Sequence, residues 1–321
     1  MKKLYIGIDV GGTNIKSGLV YSDGKTKDIT VTKLVEDWKY YKGLTELPKM
    51  IYREIKRLIN NNKLADKQIS GIGIAVASPI TSDGIISETT TFSKSIQRFN
   101  LHKEINKLYP AKYCFAVDTQ AAAYGEFKSG AGKGYNNILA VFCGTGIGGG
   151  VIIDGKLLLG SKGIAGPIGH TIVMTKNGLK CICGSYGCLE TISSAGAIVK
   201  KAIENISKGK LKILSKLCNY DIQNITPHLV YIAAKKKDKD AINIFAETGY
   251  YLGIAILNAI TIISPEIVIL GGGLAEAGDF IIKPIQDIIK KMAFPKENRK
   301  IKIVKAKLGL YSGVIGAAKL V

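Results

Sequence analysis

The sequence predicts an α/β protein of two units, and three observations carry that prediction. Apolar runs of strand character alternate with runs at helical spacing along the chain. A strand, a glycine-rich turn and a second strand occur twice, once in each half. The length, 321 residues, exceeds the roughly 150 of one ordinary domain.

In chain order, residues 4–9 (LYIGID) read as a strand, Gly11-Gly12 as a tight turn, and 15–22 as a second strand. Residues 45–61 place Leu47, Met50, Ile51, Ile55, Leu58 and Ile59 at helical spacing with charges between them. A strand over 71–77 leads into Ser78-Pro79. A strand over 113–117 ends at Asp118, and TQAAAYGEF after it is helix-like. The pattern then restarts with a strand (137–143), a glycine loop (GTGIGGG) and a strand (151–153) turned by Asp154-Gly155. Helices are expected over 190–206, 226–236 and 240–262, then a strand over 266–270 entering GGGL. An amphipathic helix (278–292), a strand (301–305) and a helix near 311–320 close the chain. No linker is rich in Pro or Ser, so the boundary is expected between packed lobes near Asp118. Residues 1–118, joined by a C-terminal helix within 306–321, form the smaller lobe and 119–305 the larger.

With 46% apolar residues, 22% charged, 37 Gly and 8 Pro, the composition excludes disorder, collagen and a small disulfide scaffold. The net charge of +20 comes from 45 Lys and Arg against 25 Asp and Glu. Only Arg53, Arg57, Arg98 and Arg299 are arginines. A specialised reader of phosphates and bases uses more Arg, so the lysines are read as a solvated surface and no nucleic-acid partner is expected. MKKLYIGIDVGG has too short an apolar stretch for a signal peptide. TGYYLGIAILNAITIISP (248–265) carries Gly, Asn, Thr, Ser and Pro, and reads as a buried helix rather than a membrane span. A cytoplasmic chain is the expectation.

DVGGTNIK sets Asp9 at a strand end, then Gly11, Gly12, Thr13 and Lys16. Consecutive N–H groups in a glycine turn form an anion nest. Thr13 adds a hydroxyl, Lys16 a cation, and Asp9 a carboxylate able to hold Mg²⁺ directly or through water. CGTGIGGG repeats the idea with Gly144, Thr145 and Gly146. Two such loops facing one another across a cleft would clamp the phosphates of a nucleotide; hairpins that need Gly for positive φ are the alternative. Gly271, Gly272 and Gly273 make a third turn, where an adenosine could lie against backbone.

His170, Cys181, Cys183 and Cys188 offer one imidazole and three thiolates, the donor set of a closed, structural Zn²⁺ site. Gly184 and Gly187 permit its tight loop. Cys114, Cys143 and Cys218 read as buried thiols, and His102 and His228 as surface residues without a role. Asp118, closing a strand before a helix, is the candidate general base; on position alone it reads equally as a helix N-cap. Glu190 is either a helix-starting Glu or a site residue held by the zinc loop.

DVGGTNIK, GTGIGGG, AGPIGH, CICGSYGCLE, GGGL and LGLYSGVIGAAKLV together resemble the ROK (repressor, open reading frame, kinase) family of sugar kinases, closest to its glucokinase-like branch. The resemblance implies a two-lobed actin-like, ribonuclease-H-like ATPase fold with an interlobe cleft. It also implies ATP-Mg²⁺ as donor and transfer to a sugar hydroxyl, usually the 6-OH of a hexose. Asp118 then matches the catalytic Asp. Gly11, Gly12, Thr13, Gly144 and Thr145 match the phosphate loops, and His170, Cys181, Cys183 and Cys188 the zinc ligands. Glu190 and His170 match sugar-contacting positions. The chain departs from the family in the sugar pocket: Val117 precedes Asp118 where Asn is usual, Pro167 replaces a Glu, and Ala77-Ser78 replaces Pro-Gly. The departures imply a changed sugar, such as an N-acetylhexosamine, or a catalytically weak sugar- and nucleotide-binding protein. Family repressors carry an N-terminal helix-turn-helix, for which nine residues before the first loop leave no room. A homo-oligomer, dimer or tetramer, is expected.

Overall fold

The computed structural model describes residues 2–34, 43–86 and 98–321. In chain order the strands are β1 (Leu4–Val10), β2 (Asn14–Tyr21), β3 (Thr26–Lys33), β4 (Ile69–Val76), β5 (Ile85–Ile86), β6 (Phe99–Asn100), β7 (Tyr113–Val117), β8 (Ile138–Cys143), β9 (Ile147–Ile153), β10 (Lys156–Leu157), β11 (Ile267–Gly271) and β12 (Lys302–Lys305). The α-helices are α1 (Gly43–Asn61), α2 (Leu101–Leu108), α3 (Asp118–Ser129), α4 (Glu190–Ser193), α5 (Ala195–Ser207), α6 (Lys212–Leu217), α7 (Pro227–Lys235), α8 (Lys239–Ile263), α9 (Asp279–Met292) and α10 (Ser312–Lys319).

The chain divides into two compact units. The first holds 1–138, 150–166 and 306–321; the second holds 139–149 and 167–305. The expected boundary at Asp118 therefore falls inside the first unit. The reason is packing: a Cβ on Gly125 of α3 would stand 2.3 Å from the Ser312 carbonyl oxygen of α10, and one on Gly316 would stand 1.7 Å from that of Ala121. Helix α3 thus lies backbone against backbone on a helix of its own unit.

The first unit is built on a sheet of order β3-β2-β1-β4-β7 among the described residues. Strand β1 pairs antiparallel with β2 and parallel with β4, and β4 pairs parallel with β7. Alternating apolar residues of β1 (Ile6, Ile8, Val10) join Leu47, Ile51, Ile55 and Leu58 of α1 in one core. The other face accepts α10 because glycine stands where the helix backbone approaches: Cβ atoms on Gly7 and Gly73 would meet the carbonyl oxygens of Val314 and Ala317 at 2.0 and 1.8 Å.

The second sheet has the order β10-β9-β8-β11-β12, with β11 and β12 parallel and α9 between them in sequence. Helix α9 packs on α8, where Gly249 and Gly253 admit Pro284 and Ile288. Helix α8 is long and apolar enough to cross a membrane by length alone. It buries Phe245, Leu252, Ile256 and Ile260 within the second unit, as the reading of 248–265 as a packed helix requires.

The periodic elements stand close to their expected places, and the exceptions have physical causes. Gly148, Gly149 and Gly150, read as loop, belong to β9: glycine lowers strand propensity but still supplies a ladder. The helix read over 190–206 breaks at Ser194, whose hydroxyl caps α5 by accepting from Ala197 N at 3.3 Å. Strand β3 and helices α2 and α6 were not expected; β3 lies at a sheet edge with no buried residue, so alternation is weak there.

Candidate functional site

In the first unit, the candidate residues gather at the carboxyl ends of three parallel strands. Register places Asp9 beside Ala75, Val10 beside Val76, and Val76 beside Val117. Asp9 at the end of β1, Ala77-Ser78 after β4 and Asp118 after β7 therefore share one edge, the usual place for a ligand in a parallel sheet. Asp9 and Lys16 face each other across the β1–β2 ladder and form an ion pair of 2.8 Å. Asp9 is almost fully buried.

Asp118 opens α3, and its Oδ1 accepts from Thr119 N at 2.7 Å. Burial, then the negative charge of Asp9, push its carboxyl up to about 7; the Thr119 N–H and Lys16 oppose the shift. A carboxylate so placed is half protonated near neutrality and can accept a proton from a hydroxyl. Gln120, two residues on and fully buried, went unnoticed in the sequence. Its Oε1 accepts from Val117 N at 3.3 Å, and its Nε2 donates to the carbonyls of Gly163 and Ala165 at 3.2 and 2.8 Å. It pins the 163–165 segment to the start of α3. Ser78 is buried, and Val117 packs against the first unit's core.

The two glycine turns are built alike. Gly11 N donates to Asn14 O and Gly144 N to Gly146 O, each at 2.9 Å. Among the described residues no acceptor takes the N–H groups of Gly12 and Thr13, or of Thr145 and Gly146. Each turn thus leaves two adjacent N–H groups without an acceptor among the described residues, and no residue of either turn takes the positive φ that the hairpin alternative requires.

The second unit holds a cavity of about 390 Å³. Gly144, Thr145 and Gly273 form part of its wall, with His228, Tyr231 and Glu276. Gly272 is wedged against β8 at φ +80°, where a Cβ would stand 2.2 Å from Cys143 O. Glycine there lets the turn at 271–273 reach the wall that Gly273 lines; Gly271 and Gly272 support it from behind. His228 is exposed, as expected, but it lines this cavity and so does not lie outside every site. His228 and Tyr231 stand one helical turn apart on α7, ring centroids 6.3 Å apart. That i, i+3 spacing was the available signal. His102 is half-buried, packed on Tyr113 and Phe115.

Glu190 begins α4, and its Oε2 accepts from Ile147 N at 2.8 Å. A Cβ on Gly146 would sit 2.5 Å from that oxygen, so Glu190 buttresses the second glycine turn. The donor atoms of His170, Cys181, Cys183 and Cys188 lie within 4.8 Å of one another. Cys183 and Cys188 Sγ are 3.7 Å apart, and Cys181 Sγ is 3.6 Å from His170 Nδ1. With Zn–S bonds of about 2.3 Å the edge of a tetrahedron is about 3.8 Å, so the four donors fit that ion. Gly184 and Gly187, at φ +92° and +73°, shape the loop between them. Cys143 and Cys218 are buried, and burial pushes the Cys143 thiol up to about 12. Cys114 is half-buried, its thiol also raised by burial.

Paired glycine turns after the opening strands of two α/β units, with a carboxylate at a strand end, define an actin-like ATPase fold. The chain belongs to the ROK family, whose model matches residues 5–321. It is 33% identical over 324 residues to a glucokinase of Halalkalibacterium halodurans, covering 99% of this chain and 94% of that protein. It is 28% identical to a xylose repressor of Bacillus subtilis, covering 98% of this chain and 76% of that one. A ROK family glucokinase from Streptomyces griseus, solved with glucose and AMPPNP, superposes with a TM-score of 0.84 at 26% identity, covering 99% and 98% of the two chains.

Proposed function

We propose that the protein is an ATP-dependent sugar kinase that transfers the γ-phosphoryl group of ATP to a sugar hydroxyl, the 6-OH of a hexose or hexose derivative. The observation that carries this is Asp118, a buried-edge carboxylate with a carboxyl near 7 beside Asp9 and Lys16. Asp118 accepts the proton of the attacking hydroxyl; the sugar oxygen bonds to the γ-phosphorus as the bond to the β-phosphate oxygen breaks, leaving ADP. In the first unit the free N–H groups of Gly12 and Thr13 suit phosphate oxygens, with Lys16 as a cation; in the second, those of Thr145 and Gly146 offer the same donors. Asp9 would hold Mg²⁺, which would neutralise charge on the phosphates. The cavity lined by Gly144, Gly273, His228 and Tyr231 takes the base. Zn²⁺ on His170, Cys181, Cys183 and Cys188 is structural: four donors leave no open position. It holds the loop that leads into Glu190.

Val117 and Pro167 favour a second reading of the sugar. Neither side chain can bond a hydroxyl, so a sugar with fewer or modified hydroxyls, an N-acetylhexosamine among them, competes with glucose; each lost bond costs about 0.5–1.5 kcal/mol. A coupled ADP-release assay across a panel of hexoses and N-acetylhexosamines tests both. Sugar-dependent release that falls by about 10²–10⁴ in Asp118→Asn supports the kinase and its base. Release that survives the substitution refutes the base. ATP and sugar binding without turnover would instead mark a weak binder.

A further inference from the structure

The second unit contains another cavity, of about 220 Å³, that the proposed reaction does not use. It lies where α9, the turn at Lys296–Lys300 and the edge strand β12 converge. Lys290 comes from the helix, Arg299 and Lys300 from the turn, and Lys302 from the strand; Gln286 completes the polar wall. The buried side chains of Ile289 and Ile303 form its apolar part.

Four cations from three stretches border this cavity, and no carboxylate does. Asp287 and Glu297, acidic neighbours in sequence, are not part of the wall. Among the described residues no ion pair engages Lys290, Arg299, Lys300 or Lys302. The Arg299 Nε donates to Ala293 O at 3.1 Å, which anchors the guanidinium; among the described residues its terminal nitrogens have no partner. Lys290, in the last turn of α9, also complements the helix dipole. Lys302, on an edge strand, also deters strand pairing. Neither effect accounts for Arg299 and Lys300, or for the convergence of all four on one concave site.

We propose that this cavity binds a small multiply charged anion of the phosphate class, such as an oligophosphate chain or a phosphate ester. The argument is one of matching. Phosphate oxygens only accept, Arg forks and lysine ammonium groups only donate, and an apolar floor limits the screening of charge by water. The concave shape and small volume fit a short anion better than a nucleic-acid backbone, which needs an extended basic surface. The site stands apart from the proposed base cavity yet shares its architecture: α9, 14 residues and about 21 Å long, runs from the 271–277 turn to this pocket. The inference does not depend on the kinase reading.

Isothermal titration calorimetry with inorganic tripolyphosphate, in about 0.1 M NaCl without Mg²⁺, tests it. One variant is Lys290→Gln/Lys300→Gln/Lys302→Gln. A control, Lys235→Gln/Lys236→Gln/Lys237→Gln, removes the same charge elsewhere. The pocket variant is expected to weaken binding about tenfold or more relative to the parent, with the control unchanged. Equal loss in both variants, or no difference between parent and pocket variant, overturns the proposal. So does tighter binding of a short DNA duplex than of tripolyphosphate through the same lysines.

Discussion

Asp118 is expected to set the pH behaviour of the proposed reaction. Its carboxyl stands near 7 in the fold against an ordinary value of 3.8. As the base of the proposed reaction it must be ionised, so kcat/KM is expected to rise with pH through an acid limb near 7. Because the Asp9 charge contributes to that value, residual activity in Asp9→Asn should show the limb at lower pH; an unmoved limb would exclude Asp118 as its source. The same shift has a stability sign. Between about pH 4 and 7 the folded protein binds more protons at this position than the unfolded chain, so its contribution to stability falls as pH rises through that window. Asp118→Asn should therefore melt higher than the parent at pH 8 and alike at pH 4 in thermal scans. In the second unit, Tyr231→Ala should raise KM for ATP about tenfold with a smaller change in kcat, since a stacked base is worth about 1–3 kcal/mol; an unchanged KM would remove the base from that cavity. Asp9 and Asp118 were legible in the sequence because each ends a strand beside a glycine turn or a helix start. Gln120 was not, because its partners lie 43 and 45 residues away. A buried glutamine has no local signature.

At the scale of elements, α10 packs backbone to backbone on β1 and β4 as well as on α3. A methyl group at Gly73 would fall 1.8 Å from Ala317 O, so either the helix or the strand must move. Gly73→Ala should destabilise by about 1–3 kcal/mol, the cost of overpacking, measured by urea unfolding; a neutral result would mean that α10 adjusts freely. The cysteine loop makes a separate prediction. The protein should bind one zinc per chain by elemental analysis, and a strong chelator should lower its melting temperature. A chain that melts identically with and without chelator carries no structural ion there. The elements most readily read were those with strong periodicity, such as α1, whose six apolar positions repeat at helical spacing. The short helix α6 and edge strand β3 were passed over because neither buries a periodic face: Leu214 is the one buried side chain of α6, and β3 has none.

For the molecule as a whole, the excess of lysine was the most visible number in the sequence and says least about the reaction. Within the proposed phosphate loops only Lys16 contributes to it, and the identified basic pocket accounts for four charges more. Exposed apolar side chains say more about assembly. Glycines 249 and 253 pack on successive turns of α9 in the same order, so α8 and α9 run side by side, and Asn298 links the segments after them, accepting from Ser264 Oγ and donating to Phe294 O. There Ile262, Met292 and Phe294 are 83%, 56% and 74% exposed. Such a patch suits a homo-oligomer contact. Phe294→Lys should lower the mass measured by light scattering if this face is used, and leave it unchanged if another is. The two-unit plan was legible from the repeated strand–turn–strand; its division at Ile138 rather than Asp118 was not, because it depends on how α3 meets a helix almost two hundred residues further on.

That meeting has a consequence for biogenesis. The glycine-lined face of β1 and β4 is synthesised early, but the helix that covers it follows more than two hundred residues later, within 306–321. The second unit is synthesised in between and has its own core, so it can fold while the first still awaits its closing helix. Maturation of the first unit must then wait for residues 306–321, with an uncovered sheet face open to chaperones in the interval. A released chain truncated after residue 305 should yield a protease-resistant fragment of the second unit and a digestible segment over 1–138; the chain extended through residue 321 should protect both.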